Sequence, residues 1–173
     1  MDILGSFLMA FEQRKFLLIA INYFTKWVET EPLAKITKAK VQDFVWKSIV
    51  CRFNLPQTLI TDNGRQFTET RFVEFCKNLN ISHHFISVAH PWANEKAKVI
   101  NRTLLQGIKM MLDRAKEAWM DELYHVLWAY RTTQMLPIEK IPFALAFGMK
   151  AVIPIELKLP SAWVMAFNEQ HNP

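Results

Sequence analysis

Apolar and polar positions recur with two different periods along the chain, and the change between them separates strands from helices. Residues 2–8, 16–23 and 27–33 are rich in Ile, Leu, Val or aromatic side chains and are split by short polar breaks, as in an antiparallel meander of three strands. From Thr37 the spacing lengthens: Val41, Phe44, Val45, Ser48 and Ile49 fall on one helix face, with Thr37 as N-cap, and the helix stops near Asn54-Leu55-Pro56. A strand over 58–62, a helix over 69–79 and a short strand over 84–88 follow. The longest helical pattern covers 94–115, with Ala97, Ile100, Leu104, Ile108, Met111 and Ala115 as its buried stripe, and a second helix over 121–132 buries Leu123, Leu127 and Tyr130. Beyond Pro137, Pro142, Pro154 and Pro160 break any long element, and the end of the chain reads as a frayed tail. This order of elements predicts the α/β class: a mixed sheet, with an antiparallel three-strand meander plus parallel strands, flanked by helices.

The run Thr58-Leu59-Ile60-Thr61-Asp62-Asn63-Gly64 ends an apolar strand at a carboxylate, followed by a turn dipeptide that tolerates φ > 0. The carboxyl ends of strands in open α/β sheets are where ligands gather. Asp62 therefore reads in two ways, as a site residue or as a side chain that only bonds its own turn. Asp2, on the first strand, faces Asp62 if their strands are neighbours, and two such carboxylates suit a hard divalent cation.

Composition narrows the class. At 173 residues, 51% hydrophobic and 21% charged, the chain suits one globular domain. No apolar run approaches a membrane span and the first residues lack a signal-peptide pattern, so an intracellular, soluble protein without a membrane partner is expected. Cys51 and Cys76 have no CxxC partner and read as core thiols. A net charge of +5 is compatible with a polyanionic partner.

Several runs together carry a specific resemblance: Met1-Asp2-Ile3, Lys15 to Trp27, Thr61-Asp62-Asn63-Gly64 with Phe67, His90-Pro91, Asn101-Arg102, and Leu127 to Thr133. In this order they resemble the catalytic core of a gypsy-class LTR-retrotransposon integrase, within the retroviral integrase superfamily. The likeness covers 1–159, leaving 160–173 as a C-terminal linker or tail. It implies an RNase H-like fold, Mg²⁺ or Mn²⁺ as cofactor, and DNA integration by polynucleotidyl transfer, with element ends and host DNA as partners. It further implies a homodimer and residence in the nucleus. Asp2 and Asp62 match the two family aspartates as catalytic and metal-binding residues. The family glutamate, commonly after a spacer of thirty-five residues, falls on Lys98.

That replacement weighs against catalysis. A Lys ammonium about 4 Å from one unit of metal charge is repelled by about 4 kcal/mol at an effective dielectric of about 20, and a divalent ion doubles this. Glu95, one helical turn earlier, is the nearest substitute carboxylate. Asp2 at the very start of the chain predicts a strand prone to fray. The 173 residues contain neither the zinc-binding module nor the downstream DNA-contacting domain that family integrases carry.

Arg65, Lys98, Arg102, Lys109 and Lys116 are the candidate DNA-backbone contacts, the last four recurring at helix-face spacing. The same lysines fit a solvated helix face. His83 and His84 alternate on a strand and so do not ligate one metal together. Trp119, Tyr124, Trp128 and Tyr130 suit a core or a dimer interface. The sequence thus supports an impaired integrase core, with a non-catalytic DNA-binding or dimerising module, or the remnant of a decayed element, as alternatives.

Overall fold

The structure, a computed structural model, describes residues 1–85, 95–135, 139–149 and 151, with side chains of 95–104 outside the description. The expected meander is present: β1 (Asp2–Gly5), β2 (Phe16–Ile21) and β3 (Val28–Leu33) pair antiparallel in chain order. Asp2 lies opposite Ile19 in an unbroken register to Gly5 opposite Phe16, so β1 is paired from its first residue rather than frayed. It stops four residues in, short of the expected 2–8. β4 (Thr58–Thr61) and β5 (Ser82–Phe85) pair parallel as a separate two-stranded ladder.

Thr37 caps α1 (Lys38–Phe44) by accepting the Lys40 N–H at 3.4 Å. The chain then passes through a π-helical stretch, Val45–Val50, into α2 (Cys51–Phe53), and Asn54, at φ 76°, ends the run. α3 (Arg65–Thr68) and α4 (Thr70–Asn78) lie between the parallel strands, and α5 (Glu95–Arg114) and α6 (Trp119–Thr132) follow.

Period-two alternation in β2 explains the layering. Leu17 and Ile19 turn to a core shared with Val28, Ile108, Leu112, Trp119, Leu123 and Leu127, and Leu18 turns to the opposite core with Val41, Phe44, Val45, Phe67 and Phe72. The meander is thus covered by α5 and α6 on one face and by α1 and α4 on the other. The α5 stripe differs from its expected phase: Leu112 is fully buried, whereas Met111 is 51% exposed. Leu105, Ile108, Leu112 and Ala115 are the positions that face the core. Ala97, Ile100 and Leu104 fall among the side chains outside the description.

An element absent from the expected set closes the described region. α7 (Pro142–Phe147) starts with proline in its first turn, where a missing N–H costs nothing, and ends on Gly148 at φ +71°. The tail at 160–173 lies outside the described residues.

The aromatic residues 119–130 do not form one cluster. Trp119 is fully buried, stacked on Phe7 at 4.8 Å and donating its Nε1–H to the Leu8 carbonyl at 3.0 Å. Tyr124 is 77% exposed, and the Tyr130 hydroxyl donates to the Lys26 carbonyl at 2.9 Å. The cysteines also part company: Cys76 is buried and Cys51 exposed. Burial pushes the Cys76 thiol up to about 11. At pH 8 a thiol-specific disulfide reagent is expected to modify Cys51 rapidly and Cys76 only as fast as the protein opens, with urea abolishing the difference. Equal rates in the native protein would contradict this packing.

Candidate active site

The candidate site lies where β1 begins and β4 ends. The Met1 ammonium donates to the Ile60 carbonyl at 2.6 Å, which lays the start of β1 against β4 although no backbone ladder joins their two sheets. Burial lowers the pKa of this ammonium, and the carboxylates of both Asp2 and Asp62 act against that shift. Asp2 and Asp62 thus both lie within electrostatic range of the Met1 ammonium.

Each carboxylate is oriented by a backbone N–H. Asp2 Oδ1 accepts the Ile3 amide at 2.7 Å, and Asp62 Oδ1 accepts the Gly64 amide at 3.0 Å. The second bond is the turn-forming role open to Asp62, and it changes the explanation of the turn. Gly64 sits at φ −59°, so its place here does not rest on positive φ. A Cβ at Gly64 would sit tightly against Asp62 Oδ1 at 3.0 Å and meet the side-chain Nε2 of Gln66 at 2.2 Å, a contact the flexible Gln66 side chain can relieve by moving. The carboxylate makes the turn by accepting the Gly64 amide.

Behind Asp62, Thr61 is fully buried at the end of β4. Its hydroxyl donates to the Asp62 carbonyl at 3.0 Å and lies 2.9 Å from His83 Nε2. The His83 ring stands edge-on to Phe72 at 5.2 Å and Phe85 at 4.7 Å. Its pKa is lowered, chiefly by burial and further by His84 and the terminal ammonium. His84 is exposed, so the two histidines part to opposite faces as strand alternation requires.

The remaining candidates are spread out. Arg65 is exposed at the start of α3, directly after the Asp62 turn, and Lys109 is half-buried on α5. Lys98, Arg102 and Glu95 lie on α5 with side chains outside the described residues. Lys116 leaves the expected stripe: α5 ends at Arg114, and Lys116 adopts φ 52° in the following turn, so it no longer follows the helix face. His90 lies outside the described residues.

The donor set suits a hard cation in part. The Asp2 and Asp62 carboxylates are oxygen donors of the kind such ions take. Among the described residues no group of three or more His, Cys, Asp or Glu side chains stands close enough to hold a metal.

The Integrase core domain family model matches residues 1–91. The chain belongs to this family. It is 29% identical over 143 residues to the Gag-Pol polyprotein of avian reticuloendotheliosis virus, covering 81% of this chain and 12% of that one. It is 24% identical over 130 residues to the retrovirus-related Pol polyprotein from transposon 412 of Drosophila melanogaster, covering 75% and 10%. The chain thus spans about a tenth of the length of these curated relatives. Its fold is similar to the catalytic core domain of BIV integrase, with a TM-score of 0.65 at 16% identity over 85% of this chain and 92% of that one. A chain of the simian T-cell lymphotropic virus intasome in complex with PP2A regulatory subunit B56 gamma matches with a TM-score of 0.63 at 16% identity, over 88% and 56%. The fold is the RNase H-like fold of integrase cores.

Sequence reasoning proposed both aspartates but did not connect Thr61 with His83 behind Asp62. The parallel pairing that brings them together, with Leu59 opposite His83, is a long-range register that no local spacing reports. It also missed Glu29, 6% exposed, whose carboxylate accepts from Trp27 Nε1 at 2.8 Å and Arg52 Nη1 at 2.9 Å.

Proposed function

We propose that this chain is the catalytic-core segment, residues 1–159, of a gypsy-class retroelement integrase, with DNA as substrate and partner, and that Lys98 at the third acidic position impairs it. What supports this reading is that Asp2 and Asp62, from the first and fourth strands, both act on the Met1 ammonium that bonds the Ile60 carbonyl, in a member of the integrase core family. Asp2 and Asp62 would hold Mg²⁺ or Mn²⁺. When bound, the ion would polarise a DNA phosphate and favour loss of a proton from the attacking hydroxyl.

The chain's own residues supply orientation. The Ile3 and Gly64 amides fix one oxygen of each carboxylate and leave the other for a ligand. Arg65, beside the Asp62 turn, offers a bidentate phosphate contact, and Lys109 adds charge along α5. Lys98 and Arg102 belong to the same proposed DNA surface. A homodimer and action in the nucleus complete the proposal, and no helix among the described residues is long and apolar enough to cross a membrane.

The direct test is Mn²⁺-dependent cleavage and joining of branched DNA by this chain and its Lys98→Glu version. A cation in place of the glutamate also favours a second reading, a DNA-binding module without catalysis. Four phosphate contacts from Arg65, Lys98, Arg102 and Lys109 predict a slope of about −3.6 in log affinity against log salt. That is roughly a hundredfold loss between about 50 and 200 mM. Arg65→Ala should make the slope shallower by about one. Salt-independent binding in a metal-free titration would remove DNA-backbone recognition from both readings.

A further inference from the structure

One hydroxyl hydrogen decides the arrangement behind Asp62. Thr61 Oγ1 donates to the Asp62 carbonyl, so toward His83 Nε2 the same oxygen can only accept. His83 must then carry its proton on Nε2 and donate it to Thr61. The ring has little freedom to do otherwise, because Phe72 of α4 and Phe85 of β5 stand against it. The chain from His83 through the Thr61 hydroxyl reaches the Asp62 carbonyl, and the Asp62 carboxylate is held at its other end by the Gly64 amide.

We propose that His83 is a positioning residue for the Asp62 carboxylate, acting through the Thr61 hydroxyl and the Asp62 backbone. Its importance for chemistry rests on the reading of Asp62 as a metal ligand. Thr61 is fully buried, so without His83 its lone pair loses the partner that holds the hydroxyl on the Asp62 carbonyl. The Asp62 peptide is then free to rock, and the carboxylate moves with it. His84, exposed on the other face, has no such path.

The test uses the full chain without metal and reads hydrogen exchange at the Gly64 amide, whose bond to Asp62 Oδ1 reports where that carboxylate sits. His83→Phe fills the space between the aromatic walls without a donor, and His83→Gln restores a donor near the Nε2 place. The Gly64 amide of His83→Phe should exchange about three- to tenfold faster, the effect of one net hydrogen bond. The ladder amides of Leu18 and Val28 should change less than about twofold, and His83→Gln should return Gly64 close to the parent rate. Thr61→Val should match His83→Phe, and the double variant should add nothing further. The link is overturned by an unchanged Gly64 rate in both single variants, or by equal acceleration of every amide. In the Lys98→Glu background, His83→Phe should raise the Mn²⁺ concentration for half-maximal joining by a similar factor, with Gln restoring it. If Lys98→Glu joins no DNA, the metal-site reading fails while the exchange rates still decide the His83 link.

Discussion

Lys98→Glu is expected to raise Mn²⁺-dependent joining of branched DNA by two to three orders of magnitude. An ammonium about 4 Å from one unit of metal charge, at an effective dielectric of about 20, costs about 4 kcal/mol. Each 1.36 kcal/mol is a factor of ten in rate, so relief of even the smaller, single-charge repulsion corresponds to about a thousandfold. Two intermediate variants separate charge from ligation. Lys98→Gln removes the repulsion without restoring a carboxylate, so it should recover the gain due to charge, and any further advantage of Lys98→Glu measures ligation. Adding Asp62→Asn to the Lys98→Glu chain should return activity to background, because Asp62 would then lack its charge while the Gly64 amide keeps an oxygen to bond. Parent activity equal to that of Lys98→Glu would make Glu95, on the same helix, the third carboxylate. A folded Lys98→Glu chain that stays inert would remove Asp2 and Asp62 from a shared catalytic site.

Local pattern carried the parts of the fold that local chemistry determines. The meander was legible because Leu17, Leu18 and Ile19 sit among β-favouring neighbours with short breaks on either side. Thr37 was legible as a cap because its side chain has a single competitive role there. The phase of α5 was not, since Met111 and Leu112 are adjacent and equally apolar, and only the packing partners Trp119 and Leu123 select Leu112. The brief α7 escaped because six residues after a proline give too little period to read. At the site, the two aspartates could be placed by motif. Their supports could not: the Thr61 to His83 bond joins residues twenty-two apart, and no local spacing reports such a pairing. Glu29 shows the same limit, since its partners come from three parts of the chain.

Glu29→Ala is expected to destabilise the protein by about 3 kcal/mol, the lower end of the cost of breaking a buried ion pair from one side. Glu29 accepts from Trp27 Nε1 on Oε1 and from Arg52 on Oε2, and Arg131 Nη2 approaches Oε2 at 3.6 Å. Arg131 meanwhile donates to the Val28 carbonyl at 3.1 and 2.6 Å and lies 4.5 Å from the centre of the Trp27 ring. Burial lowers the Arg131 pKa and Glu29 opposes that shift, so removing the acid leaves a desolvated guanidinium facing the strand. Trp27 is also the edge-on partner of Phe143 at 6.0 Å and Phe147 at 5.0 Å, which makes the strand's acid the common anchor of α6 and α7. Arg52 is half-exposed and can rehydrate, so Arg52→Ala should cost no more than about 1 kcal/mol. Glu29→Gln keeps an acceptor for Trp27 and should fall between the two. Urea midpoints with unchanged slopes give the comparison. Equal costs for Glu29→Ala and Arg52→Ala would show a surface pair rather than a buried anchor. The predicted order instead places the energy on the Arg131 side, where the motif residues 127–133 clamp α6 to the third strand.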